Sequence, residues 1–330
     1  MKATSDSGHG GRQFLQKGNQ LWRKILGRFA RAVSVAFWVM VLSFTLIRVA
    51  PGDPASARLG PDAPQEAIKL LRKQLHLGGD PITQFFSYLN ELIHGNLGVS
   101  LQTGVSVTDI INRTLPITIY LILLSTLCAL IVSIPIGTYI GWSGKGPLVY
   151  GFRGLTAVFL ATPNFFIAMV GILFFSVRHN WAPVFGYNTA FPQNLHYLWL
   201  PVAVNTLIMS SVISRVLYSS VSETKDEEFV ETGIIRGVGR RRFFWFYILK
   251  PSLAPTVVLL SYMMGTMLGA TVILETVFSL PGIGRELVGA VLTSDYPVVQ
   301  GILLYFGVIT VLLSFIGDLV AYLLDRRVKI

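Results

Sequence analysis

The sequence predicts an all-α membrane protein with six transmembrane helices and both termini in the cytoplasm. Composition comes first: of 330 residues, 52% are hydrophobic and only 13% are charged, against about a quarter charged in soluble domains. A mean hydropathy of +0.59 points to the bilayer as solvent. The second observation is a set of six apolar runs, each close to the roughly 20 residues that cross a hydrocarbon layer. The third is where lysine and arginine fall between those runs.

The runs cover Ala32–Ile47, Ile117–Trp142, Leu155–Val177, Leu198–Leu217, Thr256–Thr276 and Val298–Leu324. With the N-terminus inside, the inner segments hold 19 Lys and Arg and the outer segments hold 8. That asymmetry sets the orientation. The net charge of +10 then belongs to membrane flanks rather than to a nucleic-acid patch. Residues 1–24 read as a disordered cytoplasmic tail, 25–49 as the first span, 50–115 as an ordered extracytoplasmic loop, and 116–330 as the core. The tail lacks the apolar core and cleavage site of a signal peptide.

The outer loop carries helix signals. Asp80 can cap a helix that Pro81 begins, and Phe85, Tyr88, Leu89 and Leu92 recur on one face. Ile68, Leu71 and Leu75 mark a second amphipathic helix before it. In the third run, "LATPNFFIAM" places Pro163 and Asn164 at membrane depth. Pro135 and Pro163 free backbone carbonyls and bend their helices. The Asn164 amide suits either a helix–helix hydrogen bond or the lining of a wet passage.

Several functions are disfavoured. "GWSGKGPL" (141–148) has a Gly-Lys pair but no following Ser or Thr, so no phosphate loop is present. No Ser/His/Asp, paired-carboxylate or His-Glu-x-x-His pattern suggests an enzyme. Cys128 stands alone and the five histidines lack ligand spacing, so no metal site and no chain-bound cofactor are expected. Arg215 and Asp318 are the ionisable groups well inside spans, with Glu275 at the outer end of the fifth. That set is too small for a proton- or sodium-coupled carrier; Arg215 and Asp318 are instead a candidate intramembrane pair.

The segment 222–255 is charged, partly helical and cytoplasmic in this orientation. Ser222 and Glu223 open a helical run, with acids early and arginines later. Gly237 and Gly239 turn the chain, Phe243–Tyr247 form an aromatic cluster suited to the membrane interface, and Pro251 and Pro255 end the segment. Such a rigid projection fits a socket on a soluble partner.

Within it, "FVETGIIRGVGRRRFFWFYILKPSLAP" (229–255) resembles the EAA loop of ATP-binding-cassette importer permeases. Glu231, Thr232 and Gly233 match the triplet, with Thr and Gly where alanines are usual, and Gly237 matches the glycine. Lys250 replaces the usual proline, a departure common in the dipeptide, oligopeptide and nickel branch. "RVAPGDP" (48–54), "HGNLGVSL" (94–101), "LETVFSLPGIGREL" (274–287) and "DYPVVQG" (295–301) resemble that branch in the expected order.

The resemblance implies the type I importer fold, in the inner or plasma membrane, as half of a heterodimer with a second homologous permease. It implies two ABC ATPase subunits, which bind ATP and Mg, and an extracytoplasmic substrate-binding protein. Glu231, Thr232, Gly233, Arg236 and Gly237 would form the ATPase-coupling helix. Glu275, Pro281, Gly282 and Gly284 would lie at the outer gate on the binding-protein side. Pro163 and Asn164 are candidates for the pathway lining. Short peptides are the expected cargo, since no histidine or thiol lies near a plausible membrane path to favour nickel or a metal chelate. A scaffold that recruits an ATPase without transport would keep the coupling segment but not need "SLPGIGREL".

Overall fold

In the computed structural model, the described residues are 80–324, 64–74, 33–45 without 36, and residues 27 and 30. The side chains of residues 71, 73, 74, 81, 318, 319 and 321–324 lie outside that set. So do residues 1–24 and "RVAPGDP", on which two of the sequence expectations rest. The described chain is helical, with one isolated antiparallel bridge between Val99 and Ser106.

Helix α1 (Val33–Thr45) is apolar but short among the described residues. Helices α2 (Gln65–Gln74) and α3 (Pro81–Ile93) follow where the loop signals placed them. The Thr83 N–H donates to the Asp80 carboxylate at 3.3 Å, so Asp80 does cap α3. The face of α3 predicted to be apolar lies on α1, with Phe85 5.1 Å and Tyr88 5.9 Å from the Phe44 ring. Burial there pushes the Tyr88 phenol up to about 12.

Four helices are long and apolar enough to cross a membrane: α4 (Val107–Ser143), α7 (Gln193–Thr224), α9 (Arg240–Val277) and the Tyr296–Gly317 part of α11 (Tyr296–Leu324). The third expected span differs. Leu155–Val177 is not one bent helix but two, α5 (Pro147–Ala161) and α6 (Asn164–Arg178), which meet at 96°. Pro163 disfavours the helical conformation in the residue before it, and Thr162 is extended at φ −87°, ψ 126°. The helix stops there and a new one starts at Asn164. Counting the pair as one span gives five among the described residues.

Helices α4 and α7 form the spine. Ser133, Gly137 and Gly141 recur every four residues on one face of α4. A Cβ on Gly137 would lie 2.9 Å from the Ser214 carbonyl, and one on Gly141 would lie 2.8 Å from that of Tyr218. Small residues therefore set the spacing between the two backbones, as helix packing in lipid favours. Helix α5 is tied to α7 by Arg153, which donates to the Tyr218 hydroxyl at 2.6 Å and lies over its ring. Helices α9 and α11 close the other side, where a Cβ on Gly265 would meet Thr310 at 2.9 Å.

Two sequence expectations about 222–255 change. Ser222 and Glu223 do not open a helix; they end α7, and the separate helix α8 spans Glu228–Ile235. Pro251 and Pro255 do not end the segment either, because both lie inside the continuous helix α9. A π-helical stretch, Phe244–Leu249, precedes Pro251. Its wider turn absorbs the hydrogen bond that Pro251 cannot donate.

Candidate functional site: a clamped helix at one end and a braced turn at the other

Helix α8 is eight residues long and projects from the end of the bundle where α7 stops and α9 begins. Glu228 and Glu231 sit in its first turn, where the helix dipole favours negative charge. Its last turn closes on Gly237: the Gly237 N–H donates to the Ile234 carbonyl at 3.0 Å and the Val238 N–H to the Gly233 carbonyl at 3.2 Å. This is a Schellman ending, and it needs a left-handed residue next to the cap. Gly237 supplies it at φ +64°. Gly239 has φ −56° and needs no special freedom.

The two faces of α8 differ. Val230 and Gly233 are buried, and Val230 packs with Leu217, Val221 and Ile248. Gly233 lies under Tyr247, whose Cε1 would be 2.8 Å from a Cβ at that position. Tyr247 in turn stacks on Phe243 at 5.6 Å and meets Phe229 at 6.3 Å. Two of the aromatics assigned to the membrane interface therefore clamp α8 to α9. Of the expected coupling residues, Glu231, Thr232, Arg236 and Gly237 face outward and Gly233 faces inward. Two neighbours join the outward face unannounced: Ile234 is 62% exposed and Ile235 is 79% exposed. Adjacent isoleucines inside a helical run look like core positions, which is why the pattern hid them.

At the opposite end, α9 turns into α10 (Ile283–Leu292) through "FSLPG". Glu275 is fully buried. Its carboxyl group accepts the Gly284 N–H at 2.8 Å, the Arg285 N–H at 3.0 Å and the Thr118 hydroxyl at 2.5 Å. The Thr118 oxygen accepts the Ile283 N–H at 3.1 Å. The free donors that open α10 are thus satisfied by side chains from α9 and α4. A Cβ on Gly282 would fall 2.5 Å from Glu275 Oε2, and one on Gly284 would fall 2.8 Å from the Val272 Cα. Both glycines make room for the carboxyl group and its helix. Glu275, Gly282 and Gly284 are interior, while Pro281 and Arg285 reach the surface.

Two other stretches meet beside this turn. Asp295 is buried and accepts the Ser100 hydroxyl at 2.5 Å, the Leu101 N–H at 3.0 Å and the Gln102 N–H at 3.3 Å. "HGNLGVSL" and "DYPVVQG" are therefore one structural unit, nearly two hundred residues apart in the chain. The partnership of Asp295 with the loop was missed, because neither stretch names its partner.

The remaining candidates lie apart. Pro163 is exposed and Asn164 half-buried at the 96° elbow. Arg215 donates to the Thr156 hydroxyl at 2.9 Å and the Arg153 carbonyl at 3.3 Å, so its guanidinium is engaged by α5. The side chain of Asp318 lies outside the described residues. Among the described residues no three His, Cys, Asp or Glu side chains gather as metal ligands.

The family model for the binding-protein-dependent transport system inner membrane component matches residues 133–330, and the model for its N-terminal part matches 21–122. The chain belongs to this family. It is a multi-pass inner-membrane component, as the sequence resemblance implied. Relatives agree along nearly the whole length. A probable peptide ABC transporter permease protein of Sinorhizobium fredii is 30% identical over 309 residues, 92% of this chain and 98% of the relative. A putative peptide transport system permease protein of Brucella abortus is 30% identical over 308 residues, again 92% and 98%. The oligopeptide transport system permease protein AppB of Bacillus subtilis is 26% identical over 311 residues, covering 92% and 98%. The family models match through α8 and through the braced turn, so both sites belong to the transport component.

Proposed function

We propose that this permease is one half of the membrane pathway of an ATP-driven, binding-protein-dependent importer of short peptides. The observation that carries the reading is α8: a helix with a fixed inner face and an outward face of Glu231, Thr232, Ile234, Ile235 and Arg236. A rigid, exposed helix with two apolar knobs among charges is a docking element for a soluble partner. The partner is an ABC ATPase, one on each of two homologous permeases, and ATP with Mg binds there. The relatives named above, permeases of peptide and oligopeptide transport, supply the cargo.

In this reading the chain crosses six times, with both termini and α8 in the cytoplasm, because Lys and Arg concentrate on that side. The braced turn and the Asp295 unit face outward, toward the binding protein, with Pro281 and Arg285 as surface positions. Pro163 and Asn164 line the passage at the elbow. ATP-driven closure of the ATPases pulls on α8 and shifts the bundle between inward and outward states.

The test is uptake of a labelled short peptide, with chelated nickel in parallel, in cells lacking the gene and in cells with it restored. Peptide uptake that follows the gene is the expected result. Nickel uptake alone replaces the cargo, and dependence of neither solute on the gene overturns the importer reading.

A further inference from the structure

A cavity of about 780 Å³ lies between the last turns of α4 and the first turns of α9. Its walls are apolar and aromatic: Ile136, Tyr139, Trp142, Phe243, Phe244 and Trp245. Trp142 is 51% exposed and Trp245 is 53% exposed, so the cavity is an open groove on the side of the bundle. At its mouth stands Arg240, the first of three consecutive arginines. The guanidinium groups of Arg240, Arg241 and Arg242 have no hydrogen-bond or ion-pair partner among the described residues.

We propose that this groove is a binding site for an anionic phospholipid, with an acyl chain between α4 and α9 and the phosphate on Arg240. Three features select that occupant. The volume falls in the range of roughly 300–1,000 Å³ that holds an elongated organic ligand. The lining changes from Ile134, Ile136, Ile248 and Leu249 through aromatic rings to Arg240 along the two helices, the order of a bilayer from hydrocarbon to headgroup. An arginine with no side-chain partner among the described residues, beside a groove of this kind, offers its charge to an anion, and basic pockets between membrane helices bind anionic headgroups. A protein occupant would have to supply its own carboxylate or leave the guanidinium unpaired.

The groove also adjoins α8. Trp142 meets Phe243 edge-on at 6.4 Å, Phe243 stacks on Tyr247, and Tyr247 covers Gly233. A lipid chain in the groove therefore packs on the clamp that seats α8. The proposed orientation enters only in assigning the lipid to the cytoplasmic leaflet.

The experiment reads lipid contact by fluorescence quenching. The full chain, purified with its partner subunits, is placed in phosphatidylcholine vesicles containing brominated phosphatidylglycerol or brominated phosphatidylcholine. The signal of the groove is the difference between the wild-type protein and the Trp142→Phe/Trp245→Phe variant. Brominated phosphatidylglycerol is expected to quench that signal at a several-fold lower mole fraction. Arg240→Gln is expected to reduce this preference about fivefold, the effect of one basic contact at an anionic surface. Arg242→Gln, which does not line the groove, changes it less. Equal quenching by the two lipids, or equal loss in the two arginine variants, reduces the groove to ordinary lipid-facing surface and overturns the site. No quenching by either lipid means that another part of the assembly fills it, which also overturns the site. Both lipids surround the protein symmetrically and no cargo is involved, so a failed importer reading leaves this result intact.

Discussion

Tyr247 occupies the volume that a methyl group on Gly233 would need, with its ring edge 2.8 Å from that position. The tyrosine cannot simply swing away, because Phe243 stacks on it at 5.6 Å and Phe229 meets it at 6.3 Å. Glycine at this point of α8 costs up to about 1 kcal/mol of helix propensity relative to alanine. What it offers in exchange is a flat seat for an aromatic ring. The helix is held by packing rather than by its own propensity.

Gly233→Ala is therefore expected to destabilise the seat by about 1–3 kcal/mol, the cost of overpacking. Tyr247→Leu, which removes the ring edge, recovers part of that loss when combined with it. Thermal unfolding of the purified complex and peptide-stimulated ATPase activity both read the pair. Additive effects in the double-mutant cycle would refute the contact.

Gly237→Asp addresses the other end of α8. There is room for a side chain, since nothing lies within 4 Å of its Cβ position. The left-handed backbone costs about 1–2 kcal/mol in a residue with a side chain. The variant is expected to reach the membrane in normal amount but to lose uptake, because in the proposed coupling a carboxylate would stand where an ATPase docks. Gly237→Asn, which tolerates the same backbone without the charge, keeps more activity. Normal uptake by the Asp variant would remove α8 as the coupling element.

How much of this was legible in the sequence depends on what each residue type reveals about its partners. Asp80 and Pro81 act on their own helix, so their capping role could be read directly and is present. Gly237 acts within a few residues, and its turn could be read too. Pro163 announced a bend, but local sequence does not show whether helices on either side pack along one axis or two. The answer is a 96° break at the extended Thr162. Phe243 and Tyr247 carried the composition of a membrane interface, and only the folded chain shows them turned onto Gly233 and Phe229. Glu275 could be seen as a carboxyl group at the end of a span. Its partners, the N–H groups of residues 284 and 285, arrive only after the chain reverses.

Glu275→Ala is expected to leave three donors without their acceptor: the Gly284 and Arg285 N–H groups and the Thr118 hydroxyl. Each buried unsatisfied group costs about 1–3 kcal/mol. Gly282→Ala damages the same brace from the other side by driving a methyl group into the carboxyl group. Both variants should unfold at lower temperature and expose α10 to hydrogen exchange. The double variant should be less damaged than the sum of the two, since one brace cannot be lost twice. Strict additivity would mean that the two residues act separately.

Asp295→Ala tests the unit formed by the two distant stretches. It removes the acceptor for Ser100, Leu101 and Gln102. Faster hydrogen exchange is expected at residues 100–102, with α8 unchanged at the other end of the molecule. Acceleration spread equally over both ends would point to global destabilisation instead.

The Glu275 brace has a mechanical consequence. It joins α4 through Thr118, α9 through Glu275 and α10 through residues 283–285. Parting any two of these helices at that end would strand buried donors, so the three ends travel as a single block. Whatever rearrangement lets cargo through must take its freedom from joints that carry no such bonds. At the elbow between Ala161 and Asn164 no such brace is present among the described residues: the Thr162 hydroxyl donates to the Val158 carbonyl of its own helix at an exposed position. The molecule is in that sense a frame with one welded corner and one unbraced elbow.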